Sequence, residues 1–167
     1  GYRNHNIRVG TEKLDGQIIR PGEVFSFNER IGDFTLAEGW VEGKLIVEDK
    51  TEQGIGGGIC QVSTTLFRAA MRAGLAIEER WPHLYRVRYY EMGDFPIGID
   101  ATIFSPGPDL QFRNNYEQPI MLRALVDPHL STLDFEVWGT SDGRRIELTD
   151  HKLWNWLDPP PDEGLVD

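Results

Sequence analysis

Hydrophobic and polar positions along this chain follow a strand-like alternation in several short runs and switch once to helical spacing. The run QIIRPGEVFSF, residues 17–27, predicts a short strand, a Pro21-Gly22 turn and a second extended piece. Residues 40–49, WVEGKLIVED, alternate in part and predict another strand. Thr51 to Gly58, TEQGIGGG, is crowded with glycine and predicts a loop. From Cys60 the spacing changes: Val62, Leu66, Ala69, Ala70 and Ala73 recur at the period of a helix over residues 60–73. Gly74 is its stop signal, and Leu75 supplies the apolar contact that often follows one.

Beyond the helix the pattern is again β-like. His83 to Tyr90, HLYRVRYY, alternates and is rich in aromatic and β-branched residues, which predicts a strand entered after Pro82. Glu91 to Pro96 reads as a turn and Ile97 to Phe104 as the partner strand of a hairpin. Asp109–Asn114, Pro119–Val126 and Leu133–Trp138 add strand-like pieces, with Arg145–Leu148 as a last one. Residues 1–17 are polar and mixed and predict no element. The sum is an α+β domain, one principal helix packed on a mostly antiparallel β-sheet. Residues 1–150 form the expected domain. Residues 151–167, with Pro159 to Pro161 and several acids, read as a tail or linker to a neighbouring domain of a longer chain.

Size and charge narrow the picture. The chain has 167 residues, one ordinary domain and a tail. Its net charge of −10 disfavours a polyanionic partner, so nucleic acid binding is not expected. No segment approaches the roughly 20 apolar residues of a membrane helix. There is one cysteine, which excludes a disulfide within the chain and leaves either a small buried hydrophobe or a reactive thiol.

The setting of that cysteine favours chemistry. In Gly56-Gly57-Gly58-Ile59-Cys60-Gln61 a glycine loop feeds a helix start. Free N–H groups and the partial positive charge there stabilise a thiolate, and the same N–H groups suit an oxyanion. Gly57 and Gly58 would let a substrate backbone approach, with Gln61 beside it. Of the four histidines, only His83 follows directly on the Cys60 helix and its return. Asp100 stands in the apolar run IGIDATIF, where an unpaired carboxylate is costly and needs a partner. Cys60, His83 and Asp100 are therefore a candidate nucleophile, base and orienting acid. A zinc site built from the same three residues is a weaker alternative, because no close Cys/His spacing supports it. No metal and no cofactor is expected.

Two resemblances extend these readings. A cysteine at a helix start followed by His and Asp on successive strands, with CQVSTTLFRAAMRAGLAIEER, resembles the transglutaminase-like branch of papain-like cysteine enzymes over about residues 56–104. That resemblance implies a papain-like core and an upstream glutamine in the oxyanion hole, a place that Gln53 would take. More specifically, LDGQIIRPGEVFSFNERIG, GGGICQVSTTLFRAAMRAGLAIEERWPH, the Tyr89–Asp100 stretch and DLQFRNN together resemble the VanW family from about Asn4 to Gly139. Membership implies a bacterial protein of the cell envelope, exported or membrane-anchored and outside the cytoplasm, in the context of vancomycin resistance. The expected function is a cysteine-dependent amide hydrolase or acyl transferase acting on cell-wall peptide. The alternative is a non-catalytic module that binds cell-wall peptide or glycan. In that case Trp40, Trp81 and Tyr85 are candidates for stacking, although aromatic residues in strands are more often core.

Overall fold

A computed structural model describes residues 1–47, 50–91, 95–127, 129 and 131–149. Two long helices dominate, α1 (Tyr2–Leu14) and α3 (Ile59–Arg72), with a short α2 (Phe27–Ile31) between them. Eight strands accompany them among the described residues: β1 (Ile18–Ile19), β2 (Val24–Ser26), β3 (Glu42–Val47), β4 (Lys50–Ile55), β5 (Ala76–Glu79), β6 (Gln111–Arg113), β7 (Ile120–Asp127) and β8 (Thr132–Trp138). They form three small antiparallel sheets, ordered β1-β7-β8, β2-β6-β5 and β3-β4. The α+β class with antiparallel pairing is as the sequence predicts.

Helix α3 is the axis of the core. Val62, Leu66 and Ala70 on one face are fully buried, together with Phe25, Phe112 and Leu122 from the sheets, Phe27 from α2 and Leu110 just before β6. Each such large side chain contributes about 1.5–3 kcal/mol on burial. The helix ends at Gly74, whose φ is +67°, with Gly74 N–H donating to Met71 O and Leu75 N–H to Ala70 O. This double closure with a buried Leu75 is the stop that the sequence signals.

Four expectations are corrected. First, residues 1–17 contain α1. Its buried face carries Asn6, Gly10 and Thr11 as well as Ile7, Val9 and Leu14, so apolar periodicity is weak. Contacts replace it. Asn6 Nδ2 donates to Val41 O and Gly57 O, while its Oδ1 accepts from Val41 N–H. Gly10 allows close packing, because a Cβ there would stand 2.5 Å from Ile59 Cδ1. Second, the loop expected over Thr51–Gly58 is strand β4 as far as Ile55. It pairs with β3 in a register that sets Gly43 against Gly54, with Gly43 under the Tyr2 ring. Gly43 admits an aromatic ring rather than breaking its strand.

Third, neither His83–Tyr90 nor Ile97–Phe104 is a strand. The first is irregular and ends in a 3₁₀ turn at Arg88–Glu91; the second makes one isolated bridge, Trp81 with Thr102. Ile99 O and both backbone groups of Ala101 are bonded by side chains of α3 instead of a neighbouring strand. Fourth, residues 145–148 make no strand. Arg144 and Ile146 dock this segment on Gly74 and Asn115. The centre of the 91–96 turn and the Pro-rich tail lie outside the described residues.

Candidate active site

Gly58, with φ +105°, caps α3 and turns the chain from β4 into the helix. Cys60 is the second helical residue and is half-buried. Its Sγ lies 3.8 Å from both Thr102 Oγ1 and Ile103 O. One turn further on, Ser63 Oγ donates to Ala101 O at 2.6 Å, and Thr64 Oγ1 accepts from Ala101 N–H at 3.0 Å. Another turn on, Arg68 Nε donates to Ile99 O at 2.8 Å, and its other arm donates to Tyr90 O. Ser63, Thr64 and Arg68, on consecutive turns of α3, thus hold Ile99 and Ala101, the residues on either side of Asp100, along the helix.

Asp100 is 6% exposed. Its Oδ2 accepts from the His83 backbone N–H at 3.0 Å and is in direct hydrogen-bond contact with His83 Nδ1. His83 is in turn coupled electrostatically to the Cys60 thiol. With Nδ1 engaged by Asp100, Nε2 is the ring nitrogen left for sulfur. The irregular path of 97–104 brings together the three residues that the sequence proposed, without the hairpin it expected.

The electrostatics couple the three groups. Burial pushes the Cys60 thiol up, but the hydrogen bond and charge of His83, with lesser help from Ile103 and Thr102, outweigh it and hold the thiol below its ordinary value. Burial pulls the His83 imidazole down, yet Asp100 and Cys60 raise it to about 9. Burial opposes ionisation of Asp100; its bonds to His83, and the charge of Arg80, nevertheless keep it below the usual carboxylate range. The shifts favour the charged forms of all three groups, thiolate, imidazolium and carboxylate, over the neutral ones.

The expected substrate-binding residues are placed differently. A Cβ on Gly57 would stand 2.5 Å from Lys44 O, and one on Gly58 2.9 Å from Arg3 Cγ, so the missing side chains are taken up by packing on β3 and α1. Gln61 Oε1 accepts from Arg3 Nη2 at 2.9 Å. It lines a cavity of about 570 Å³ between α1 and the β7–β8 hairpin, whose walls include none of Cys60, His83 and Asp100. Gln53 is exposed on β4, opposite Lys44. Ser26 caps α2 and Asn28 Nδ2 bonds Pro108 O, both structural. Trp40 is core, whereas Trp81 and Tyr85 are exposed. Among the described residues no group of three or more His, Cys, Asp and Glu is arranged to hold a metal ion.

Arg68, Tyr90 and Thr102 belong to this neighbourhood and were not singled out for it from the sequence. Arg68 had a signal, since Cys60, Thr64 and Arg68 are spaced i, i+4, i+8 and share one helical face. Tyr90 and Thr102 had none, because tertiary contacts alone bring them here.

The family described as VanW like protein matches residues 2–138. An uncharacterized protein of Bacillus subtilis (strain 168), YoaR, is 44% identical over 122 residues, which span 73% of this chain and 39% of YoaR. The vancomycin B-type resistance protein VanW of Enterococcus faecalis (strain ATCC 700802 / V583) is 27% identical over 141 residues, 84% of this chain and 46% of that protein. The matches thus span less than half the length of either relative. No solved structure matches. With its family matched from Tyr2 to Trp138, the chain belongs to the VanW-like proteins.

Proposed function

We propose that this domain is a cysteine-dependent acyl-transfer site of the bacterial cell envelope, acting on amide bonds of cell-wall peptide. The observation that carries the proposal is the buried His83–Asp100 pair, with His83 coupled to Cys60 in the direction that favours the thiolate. The envelope setting and the substrate class rest on family membership and on the resistance role in the name of the Enterococcus relative.

In this reading the Cys60 thiolate adds to the amide carbonyl carbon, forming the C–S bond and moving the carbonyl electron pair to oxygen. Collapse restores the carbonyl and breaks the C–N bond, and the His83 proton goes to the leaving nitrogen. Water or an amine then attacks the thioester, His83 takes its proton, and sulfur leaves as thiolate. Asp100 fixes the His83 ring and stabilises its charged form throughout. The Cys60 backbone N–H supports the oxyanion. The neighbouring Ile59 and Gln61 N–H groups are already bonded to Gly56 O and Gly58 O.

Incubation with soluble cell-wall peptides, followed by intact-mass analysis, tests this. The expected result is an acyl adduct on Cys60, absent in Cys60→Ala. Retention of the same adduct in Cys60→Ala would remove the cysteine from the mechanism. A purely binding role has one observation in its favour: Trp81, Leu84, Tyr85 and Tyr89 leave an exposed aromatic and apolar surface on the segment that carries His83. Under that reading peptide or glycan binds with equal affinity to the parent and to Cys60→Ala, and no adduct forms.

A further inference from the structure

The row of three residues leaves one part of acyl transfer incompletely equipped. An oxyanion needs more than one donor to be strongly stabilised in a water-poor site, and the glutamine expected to supply the second, Gln53, is exposed on β4. A different donor stands beside the site. Tyr90 is 6% exposed, and its hydroxyl is buried with no hydrogen-bond partner among the described residues. A buried hydroxyl without a partner carries a desolvation cost, so its persistence calls for an explanation.

The hydroxyl's surroundings supply one. Its ring packs on the His83 ring at 5.4 Å and on the Tyr89 ring at 4.4 Å. Thr64, Tyr89 and Cys60 are the groups that act electrostatically on its phenol. Thr64 Oγ1 is already committed, accepting from Ala101 N–H and donating to Ala101 O. Arg68 donates to the Tyr90 carbonyl, so the residue is tied to the same helix as the thiol, two turns along. Burial and neighbouring negative charge also hold the phenol well above its ordinary value, so it keeps its proton in the pH range where Cys60 is a thiolate.

We propose that the Tyr90 hydroxyl is a second oxyanion donor for Cys60, giving its unshared hydrogen bond to the substrate carbonyl oxygen as the tetrahedral intermediate forms. This rests on the acyl-transfer reading of Cys60. Tyr90 is then a catalytic residue in the strict sense, since it touches the reacting oxygen, and no proton leaves it: it donates a hydrogen bond only.

The test compares two reactions of the 167-residue protein and of Tyr90→Phe. Alkylation by iodoacetamide displaces iodide at a saturated carbon and forms no oxyanion. Acylation by p-nitrophenyl acetate passes through one and releases p-nitrophenolate. Tyr90→Phe is expected to alkylate within about twofold of the parent at every pH, and to acylate at least tenfold more slowly, in line with loss of one oxyanion donor. Its melting temperature is expected to equal or exceed the parent's, because the hydroxyl removed has no partner. Equal acylation rates in the two proteins overturn the role of Tyr90 and leave the Cys60 reading standing. Parallel loss of both reactions also overturns it, and shows that the hydroxyl merely positions His83. A parent protein that takes no acyl group at all overturns the acyl-transfer reading and this one together.

Discussion

Asp100 and Asp109 are both buried carboxylates on the irregular chain between β5 and β6, at 6% and 5% exposure, yet they keep different company. Asp109 is surrounded by neutral donors: Ser26 Oγ at 2.6 Å, Asn28 N–H at 2.9 Å, Leu110 N–H at 2.8 Å and Gln111 Nε2 at 3.1 Å. It ties the β2–α2 junction to the start of β6. Asp100 instead spends its Oδ2 on one residue, His83, which carries the interaction on to a thiol. Burial of an acid does not by itself mark a site. What separates the two is whether the partners close on themselves, as at Asp109, or lead to a group that can react.

The largest effect expected from this contrast is on stability at the closed centre. Asp109→Ala leaves four donors without their acceptor and should cost about 3 kcal/mol or more, read by urea unfolding. The folded fraction should alkylate at Cys60 at the parent rate. A thiol silenced by Asp109→Ala in still-folded protein would erase the distinction between the two aspartates.

Next comes the glycine loop. Gly57→Ala sets a Cβ 2.5 Å from Lys44 O, backbone that must shift, and should destabilise by about 2 kcal/mol. If stability were unchanged while large acyl donors alone were excluded, Gly57 would face substrate rather than β3.

A smaller effect follows from proton linkage. His83, raised from 6.5 to about 9, contributes stability that is fully present below pH 6.5 and lost as pH rises through about 9. Cys60, lowered from 9.0, contributes stability that is present above pH 9.0 and lost as pH falls through its native value. Where the windows overlap, the native pair holds one proton on His83 and the unfolded pair holds one on Cys60, so the slopes cancel. Cys60→Ala removes one side. Its stability, measured by urea unfolding, should fall relative to the parent above pH 6.5 by on the order of 1–2 kcal/mol, with Asp100 alone now holding His83 up. Parallel pH profiles for the two proteins would mean that His83 is not charged by its neighbours.

Much of this architecture was legible along the chain, and its failures share a cause. Helix α3 was readable to its last turn, because Val62, Leu66 and Ala70 repeat on one face and Gly74-Leu75 closes it. Asp100 was legible as an acid whose apolar neighbours demand a partner. Helix α1 was not, because Asn6 and Gly10 do core work through bonds and close approach that hydrophobic spacing does not register. The false hairpin arose because alternation in 83–90 and 97–104 reports an extended chain but not what satisfies its backbone. Here Ser63, Thr64 and Arg68 do so from the helix. Asp109 passed unnoticed for the complementary reason: all its donors are neutral, and two of the four named are backbone N–H groups, which no residue type announces.

The central claim is the coupling of Cys60 to His83, and the pH dependence of Cys60 alkylation by iodoacetamide in the parent and in His83→Ala addresses it directly. The account predicts an apparent thiol pKa below 9.0 in the parent and a marked rise in His83→Ala, with the rate at pH 7 falling about tenfold or more. Identical profiles in the two proteins, or a thiol that stays inert at every pH while the protein is folded, would contradict it.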